Sequence, residues 1–188
     1  MKIFMIRHGE SETNKDGLWT GWLDASLTEK GKTEAEQLGR FLSKISFDKI
    51  YVSDLSRAKA TAEIALPACE YEVVVGLREI NVGSIAGKPL KSVKERDKEQ
   101  LSKDGYRIFG GESREEFGNR VGAFMRLLEG QNRESVAVFT HAGVLRKALD
   151  IVLDTEVPRK NVLCQNCAVA VFEYDNSKWS LHSWINLP

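Results

Sequence analysis

The chain has 188 residues, enough for one domain with a sizeable core, and its 42% hydrophobic and 29% charged content is that of an ordinary globular protein. Lys+Arg and Asp+Glu balance at 27 each, so no global field favours nucleic acid or an anionic membrane. No apolar run reaches the length of a membrane span, and the N-terminus lacks the basic, apolar and small-residue sections of a signal peptide, so the expected location is the cytoplasm.

The first apolar run, Ile3-Phe4-Met5-Ile6, predicts a buried strand that ends on Arg7-His8-Gly9-Glu10. A polar loop is expected from Ser11 to Ser26. Thr28 N-caps a predicted helix in which Ala35, Leu38, Phe41 and Leu42 make the apolar stripe. A strand is predicted over 47–52, followed by Ser53-Asp54 and a helix carrying Ala58, Ala62, Ile64 and Ala65 that stops near Pro67. Tyr71 to Val75 reads as a strand, Ala86 to Leu90 as a turn, and Lys91 to Leu101 as a strongly charged helix.

Beyond the break at Gly110-Gly111, Ser113 and Glu116 make a capping box for a helix whose buried face is Phe117, Val121, Phe124, Leu127 and Leu128. The run Ser135 to Thr140 predicts a second core strand, which ends on His141 and leads into a helix through Leu153. Two strands, about 167–174 and 178–184, are joined through Asp175-Asn176-Ser177 as a hairpin. Strand-helix alternation predicts an α/β fold: a three-layer α/β/α sandwich with a mostly parallel sheet and an antiparallel edge. One domain spans 1–188, with roughly 80–112 expected to form a lid or cap segment.

In open α/β sheets ligands bind beyond the carboxyl ends of the strands. Two of the three histidines, His8 and His141, follow directly on the two candidate core strands. Two further strand exits carry Arg57, in the first turn of its helix, and Arg78-Glu79. Two arginines and two histidines at one place would repel one another unless they share an anion, and guanidinium forks match phosphoryl oxygens. A neutral histidine can attack phosphorus, the cations can spread the charge of the transferring group, and a carboxyl can protonate the leaving oxygen.

Two other motifs carry less. Gly31-Lys32-Thr33 resembles the end of a phosphate-binding loop, but Ser26 stands where that motif needs glycine, and the segment falls inside a helix. Cys164-Gln165-Asn166-Cys167 has redox or zinc spacing but leads into a strand without a second cysteine pair or a nearby histidine, so two structural thiols are expected.

Taken together these residues resemble the histidine phosphatase superfamily, which includes the cofactor-dependent phosphoglycerate mutases and has the phosphoglycerate mutase-like fold. The resemblance rests on Arg7-His8-Gly9-Glu10 with Asn14; on Gly21, Asp24, Leu27-Thr28 and Gly31; and on Ser53 to Ala58 with Thr61-Ala62. It continues through Leu77 to Ile80, Gly83 through Gly87, Gly111-Glu112-Ser113 and Thr140-His141-Ala142-Gly143. It implies that His8 is the nucleophile, that Arg7, Arg57 and His141 hold the phosphoryl group with Asn14 assisting, and that Glu79 is the general acid. Thr20 and Gly21 match a loop that approaches the substrate in mutases, and Ala142 lies where backbone approaches phosphate. No cofactor and no metal are implied.

The chain departs from the family at Ala142, where glycine is usual, and at Ser84, Ile85 and Ala86, where aromatic and acidic residues are expected. The interval between Glu79 and Gly111 is also shorter than in glycolytic mutases. Its basic residues (Lys88, Lys91, Lys94, Arg96, Lys98, Lys103, Arg107) are mostly on a helix, where solvation is their default. The resemblance therefore favours a phosphatase of small phosphomonoesters, similar to the α-ribazole and broad-specificity phosphatases of the family. The alternatives are a phosphoglycerate mutase, a phospholigand-binding module without turnover, and a metal-dependent hydrolase using His8, His141 and Asp24. The expected partner is a small phosphorylated metabolite, with no nucleic acid and no membrane; a homodimer is left open.

Overall fold

Successive side chains of the central strands are buried on alternate faces of the sheet, which divides the apolar core in two. In the computed structural model, which describes residues 1–187 (the side chain of Arg96 excepted), six strands form one sheet in the order β3-β2-β4-β1-β5-β6. They are β1 (Lys2–Arg7), β2 (Lys49–Val52), β3 (Glu72–Val73), β4 (Ser135–Thr140), β5 (Val169–Asp175) and β6 (Lys178–Ile185). Strands β3, β2, β4 and β1 are parallel, and β5 and β6 add an antiparallel edge. Ile3 and Met5 of β1 face one side with Val136 and Val138, against Phe117, Val121, Phe124 and Leu145 of two helices. Phe4 and Ile6 face the other side with Ala137 and Phe139, against Leu38, Leu42, Ala58 and Ala62 of two more. Period-2 alternation with both sets buried is what a strand needs when helices cover both faces of its sheet.

The helices are α1 (Glu12–Lys15), α2 (Glu29–Leu42), α3 (Ser56–Ala65), α4 (Glu95–Asp104), α5 (Arg114–Glu129) and α6 (Ala142–Val152). Thr28 caps α2 through the amide of Gly31, and Ser113 and Glu116 form the reciprocal capping box of α5. The Gly31-Lys32-Thr33 segment lies within α2, as expected. Cys164 packs in one half of the core and Cys167 in the other, and both thiols are free. Burial raises both, Cys167 to about 12, so neither behaves as a redox thiolate.

Several sequence expectations are displaced. The loop after β1 contains α1, and its local signal is a capping box of its own, Ser11 with Asn14. The strand expected over 71–75 is only Glu72–Val73, because β2 offers pairing no further than Val52 and the chain then tightens into a 3-10 turn over Val75–Leu77. That turn buries Leu77 and delivers Arg78-Glu79 to the carboxyl edge of the sheet. The charged helix is shifted to Glu95–Asp104, preceded by a 3-10 turn at Leu90–Ser92 and ended by Gly105 at φ 68°. Residues 81–112 leave and rejoin the body at one point: the Asn81 amide donates to Glu112 Oε2 at 2.8 Å, and the Glu112 amide to the Asn81 carbonyl at 2.9 Å.

Candidate active site

Sheet register alone brings the two histidines together. Arg7 is paired with Thr140, so His8 and His141 leave adjacent parallel strands at the same level. Their ring centroids are 5.1 Å apart with planes inclined at 61°. Val52 pairs with Phe139, so Ser53 follows one register step behind, and its hydroxyl meets His141 Nε2 at 2.9 Å. The chain also turns tightly at the exit of β1. A Cβ on Gly9 would overlap the backbone of Gly31, and one on Gly31 the backbone of Glu10, so α2 begins in direct contact with the His8 loop.

Both imidazoles are buried, His8 at 4% and His141 at 0% exposure. Burial, followed by the positive fields of Arg57 and Arg7, holds His8 well below the usual histidine range. Burial, then Arg57 and His8, does the same to His141. The two rings are therefore neutral at pH 7, which removes the mutual repulsion that four cations would suffer. The His8 partners fix its tautomer. Nδ1 lies 2.7 Å from the carbonyl of Gly9, which can only accept, so Nδ1 carries the proton. Nε2 keeps its lone pair and accepts from Arg57 Nε at 3.2 Å.

Arg57 is fully buried in the first turn of α3. Its other nitrogens donate to the carbonyls of Leu23 at 3.0 Å and Gly21 at 2.8 Å. Burial lowers it to about 10, so it stays charged at pH 7. Arg7 donates to the Cys164 carbonyl at 2.6 Å and to Asn14 Oδ1 at 3.5 Å, while its Nε has no partner among the described residues. Asn166 joins Asn14 and the His8 carbonyl, each at 3.2 Å.

Glu79 faces this cup from the start of the 80–112 segment. Its Oε2 accepts the Gly143 amide at 3.0 Å and its Oε1 accepts the Ile80 amide at 2.8 Å. A Cβ at Gly143 would collide with this carboxylate, whereas Ala142 has room for its methyl. The glycine required after His141 is therefore the second one, and Ala142 lines the cavity. Behind Glu79, Arg120 donates to the carbonyls of Gly76, Arg78 and Glu79 at 2.9, 2.8 and 3.2 Å and to both oxygens of Glu112. Trp22 Nε1 also donates to the Glu79 carbonyl at 2.7 Å, with its ring against the Arg78 guanidinium. Arg78 is held bidentately by Asp54.

A cavity of about 420 Å³ opens over these groups. Arg7, His8, Asn14, Thr20, Gly21, Arg57, Glu79 and Ala142, all named from sequence, line it; His141 lies beneath it against the His8 ring. Asp24 does not join the histidines. It accepts from the Ser56 amide at 3.0 Å and hydroxyl at 2.7 Å at the start of α3. Among the described residues no group of three His, Cys, Asp or Glu has metal-site spacing. Sequence reasoning missed Arg120, Tyr106, Asn166, Arg146 and Arg159. Arg146 had a usable signal, since it lies on the same helix as Ala142, four positions on and hence on the same face. Arg159 and Asn166 lie in the irregular segment between α6 and β5, where no periodicity marks them.

Comparisons with known proteins bear on the family and the fold. Residues 3–187 match the family model of the histidine phosphatase superfamily, branch 1. The chain is 30% identical to the probable phosphoglycerate mutase GpmB of Salmonella choleraesuis (strain SC-B67) over 195 residues, covering 98% of this chain and 90% of the relative. Among solved structures, it resembles a candidate alpha-ribazole-5'-P phosphatase from Escherichia coli K-12 (TM-score 0.83, 25% identity, 99% and 96% of the two chains). It also resembles a phosphoglycerate mutase from Thermus thermophilus (TM-score 0.77, 29% identity, 100% of both chains). No helix among the described residues is long and apolar enough to cross a membrane.

Proposed function

The chain belongs to the histidine phosphatase superfamily, and on that premise we propose that it hydrolyses small phosphomonoesters through a phosphohistidine on His8. The observation that carries this reading is the state of His8: neutral, with Nδ1 committed to Gly9 and the lone pair of Nε2 directed into a cup of two guanidiniums opposite a carboxyl group. Nε2 attacks phosphorus as the ester P–O bond breaks. Arg57 Nε transfers its hydrogen bond from His8 to a phosphoryl oxygen, Arg7 Nε gains an acceptor, and the buried His141, its Nδ1 unpartnered among the described residues, supports the His8 ring from beneath. Glu79, held opposite Nε2 by the Gly143 and Ile80 amides, protonates the leaving oxygen. Water then attacks phosphorus, Glu79 takes its proton, the P–N bond breaks, and phosphate leaves with His8 restored. Uncatalysed hydrolysis of a phosphate monoester is up to about 10²¹-fold slower than the enzymatic reaction, which accounts for charge compensation this dense.

Hydrolysis is preferred over mutase activity because of the cavity wall. The 80–112 segment contributes Ile80, Val82, Leu90 and Tyr106, and none of its described basic residues lines the cavity. A mutase remains the second reading, supported by Trp19 and Thr20 on the same wall. The test is incubation of the pure protein with p-nitrophenyl phosphate, followed by acid-labile, base-stable phosphate on the protein at early times. Release of p-nitrophenol with labelling that His8→Ala abolishes is expected. Interconversion of phosphoglycerates, stimulated by bisphosphoglycerate and faster than hydrolysis, would support the mutase; vanadate binding without turnover would leave a binding module.

A further inference from the structure

We propose that the cavity holds a second anion-binding subsite, formed by Arg146 and Arg159, so that the preferred substrate is a phosphomonoester bearing another anionic group. The inference rests on the phosphatase reading and deepens it. Arg146 and Arg159 line both the cavity above His8 and a neighbouring cavity of about 250 Å³. The other cations of that second cavity are already neutralised: Arg114 lies 3.5 Å from Glu156 and Lys147 3.6 Å from Asp150. Arg146 and Arg159 have no carboxylate or carbonyl partner among the described residues, so the shared wall carries two uncompensated positive charges.

Unpartnered polar atoms mark the same track. Among the described residues, six buried side-chain polar atoms lack a hydrogen bond, and they include Arg7 Nε, His141 Nδ1, Trp19 Nε1 and Arg146 Nε. Arg7 and His141 belong to the phosphoryl cup. Trp19 and Arg146 do not, yet both line the cavity. A buried donor without an acceptor is unfavourable, and a ligand rich in acceptor oxygens would satisfy those along this cavity. Arg146 lies five residues beyond His141, about 7.5 Å along the helix at 1.5 Å per residue, and its side chain lines the same cavity as His8. The Trp19 and Tyr106 rings, 5.7 Å apart on the same cavity, offer an aromatic wall to the carbon framework between the two anions.

Non-hydrolysable probes separate this inference from the activity it rests on. Calorimetry would compare phenylphosphonate with 3-carboxyphenylphosphonate, its neutral methyl ester and 1,3-phenylenebisphosphonate. Steady-state kinetics would use the corresponding phosphate esters. A charge-assisted contact predicts that the second anion tightens binding by about 10- to 100-fold over the neutral ester, and that Arg146→Gln with Arg159→Gln brings the ratio close to one. A gain with the carboxylate alone, or with the second phosphonate alone, would name the group recognised. Equal affinity for charged and neutral probes in the native protein, or a ratio unchanged by the double substitution, would overturn the subsite. If the affinity ratio holds while no ester releases phosphate, the phosphatase reading fails and the subsite stands.

Discussion

The phosphoryl cup and the outer wall of the same cavity are built on opposite plans. His8 and His141 extend from adjacent core strands, and Arg57 stands in the first turn of a buried helix; each is fixed by sheet register and by partners in the body of the fold. The outer wall is assembled from residues 17–23, the 80–112 segment and the stretch after α6, which is rich in turns, and some of its charged groups, Arg159 among them, are exposed. The contrast separates chemistry from choice. A reaction common to many substrates needs atoms held to a fraction of an ångström, and strand ends provide that. Selection among substrates needs surface that can change without disturbing the core, and loops provide that.

The contrast would break most decisively at His8. Replacement by alanine is expected to lower turnover of any ester by at least about 10³-fold, since the proposed attack on phosphorus comes from His8 Nε2; rates near those of the native protein in a phosphate-release assay would contradict the assignment. Glu79→Gln is expected to cost about 10²-fold or more on alkyl phosphates and much less on aryl phosphates, whose leaving groups need no proton. Equal losses for both classes would remove the acid role.

Acid would expose the cup through stability. Both buried histidines have folded-state values well below 6.5, so the unfolded chain binds more protons as pH falls through 6.5. Stability is complete above that value and is lost below it, by up to about 1.4 kcal/mol per pH unit for each ring. Denaturant midpoints between pH 7 and 5 would check this, and phosphate or vanadate should reduce the slope. A pH-independent midpoint would mean that the rings are not held neutral.

Arg120→Met tests whether the wall's attachment reaches the chemistry. It removes the hydrogen bonds that hold Gly76, Arg78 and Glu79. A fall of about 10-fold is expected, larger for alkyl than for aryl phosphates, because a misplaced acid matters most for poor leaving groups. An equal effect on both would indicate general loosening. At the far end of the scale, Lys103→Ala removes an exposed pair with Glu99 on α4 and should change neither the melting temperature nor activity measurably.

The same contrast governs what could be read from sequence. Continuous apolar runs ending on Arg7-His8 and Thr140-His141 announced the cup, because strands covered on both faces leave a distinctive pattern. The capping residues Thr28 and Ser113 announced α2 and α5. Arg159 and Asn166 were illegible because their positions depend on how an aperiodic segment folds back over the cavity. Arg120 was hidden differently: it sits on a helix among other charges, and only tertiary structure shows that carbonyls surround its guanidinium.

The double hydrogen bond between Asn81 and Glu112 has a practical corollary. The two stems of that excursion meet at one joint, and its middle is tied to Gly17 and Trp19 by the backbone of Gly87, Lys88 and Leu90, so the stretches on either side of 87–90 are the ones free to change. A graft of different length changes closure entropy only logarithmically, about 0.6 kcal/mol per doubling, and leaves the joint untouched. Such an exchange would replace Val82 and Tyr106 on the cavity wall while leaving Trp19, Thr20, Leu90, Arg146 and Arg159 in place.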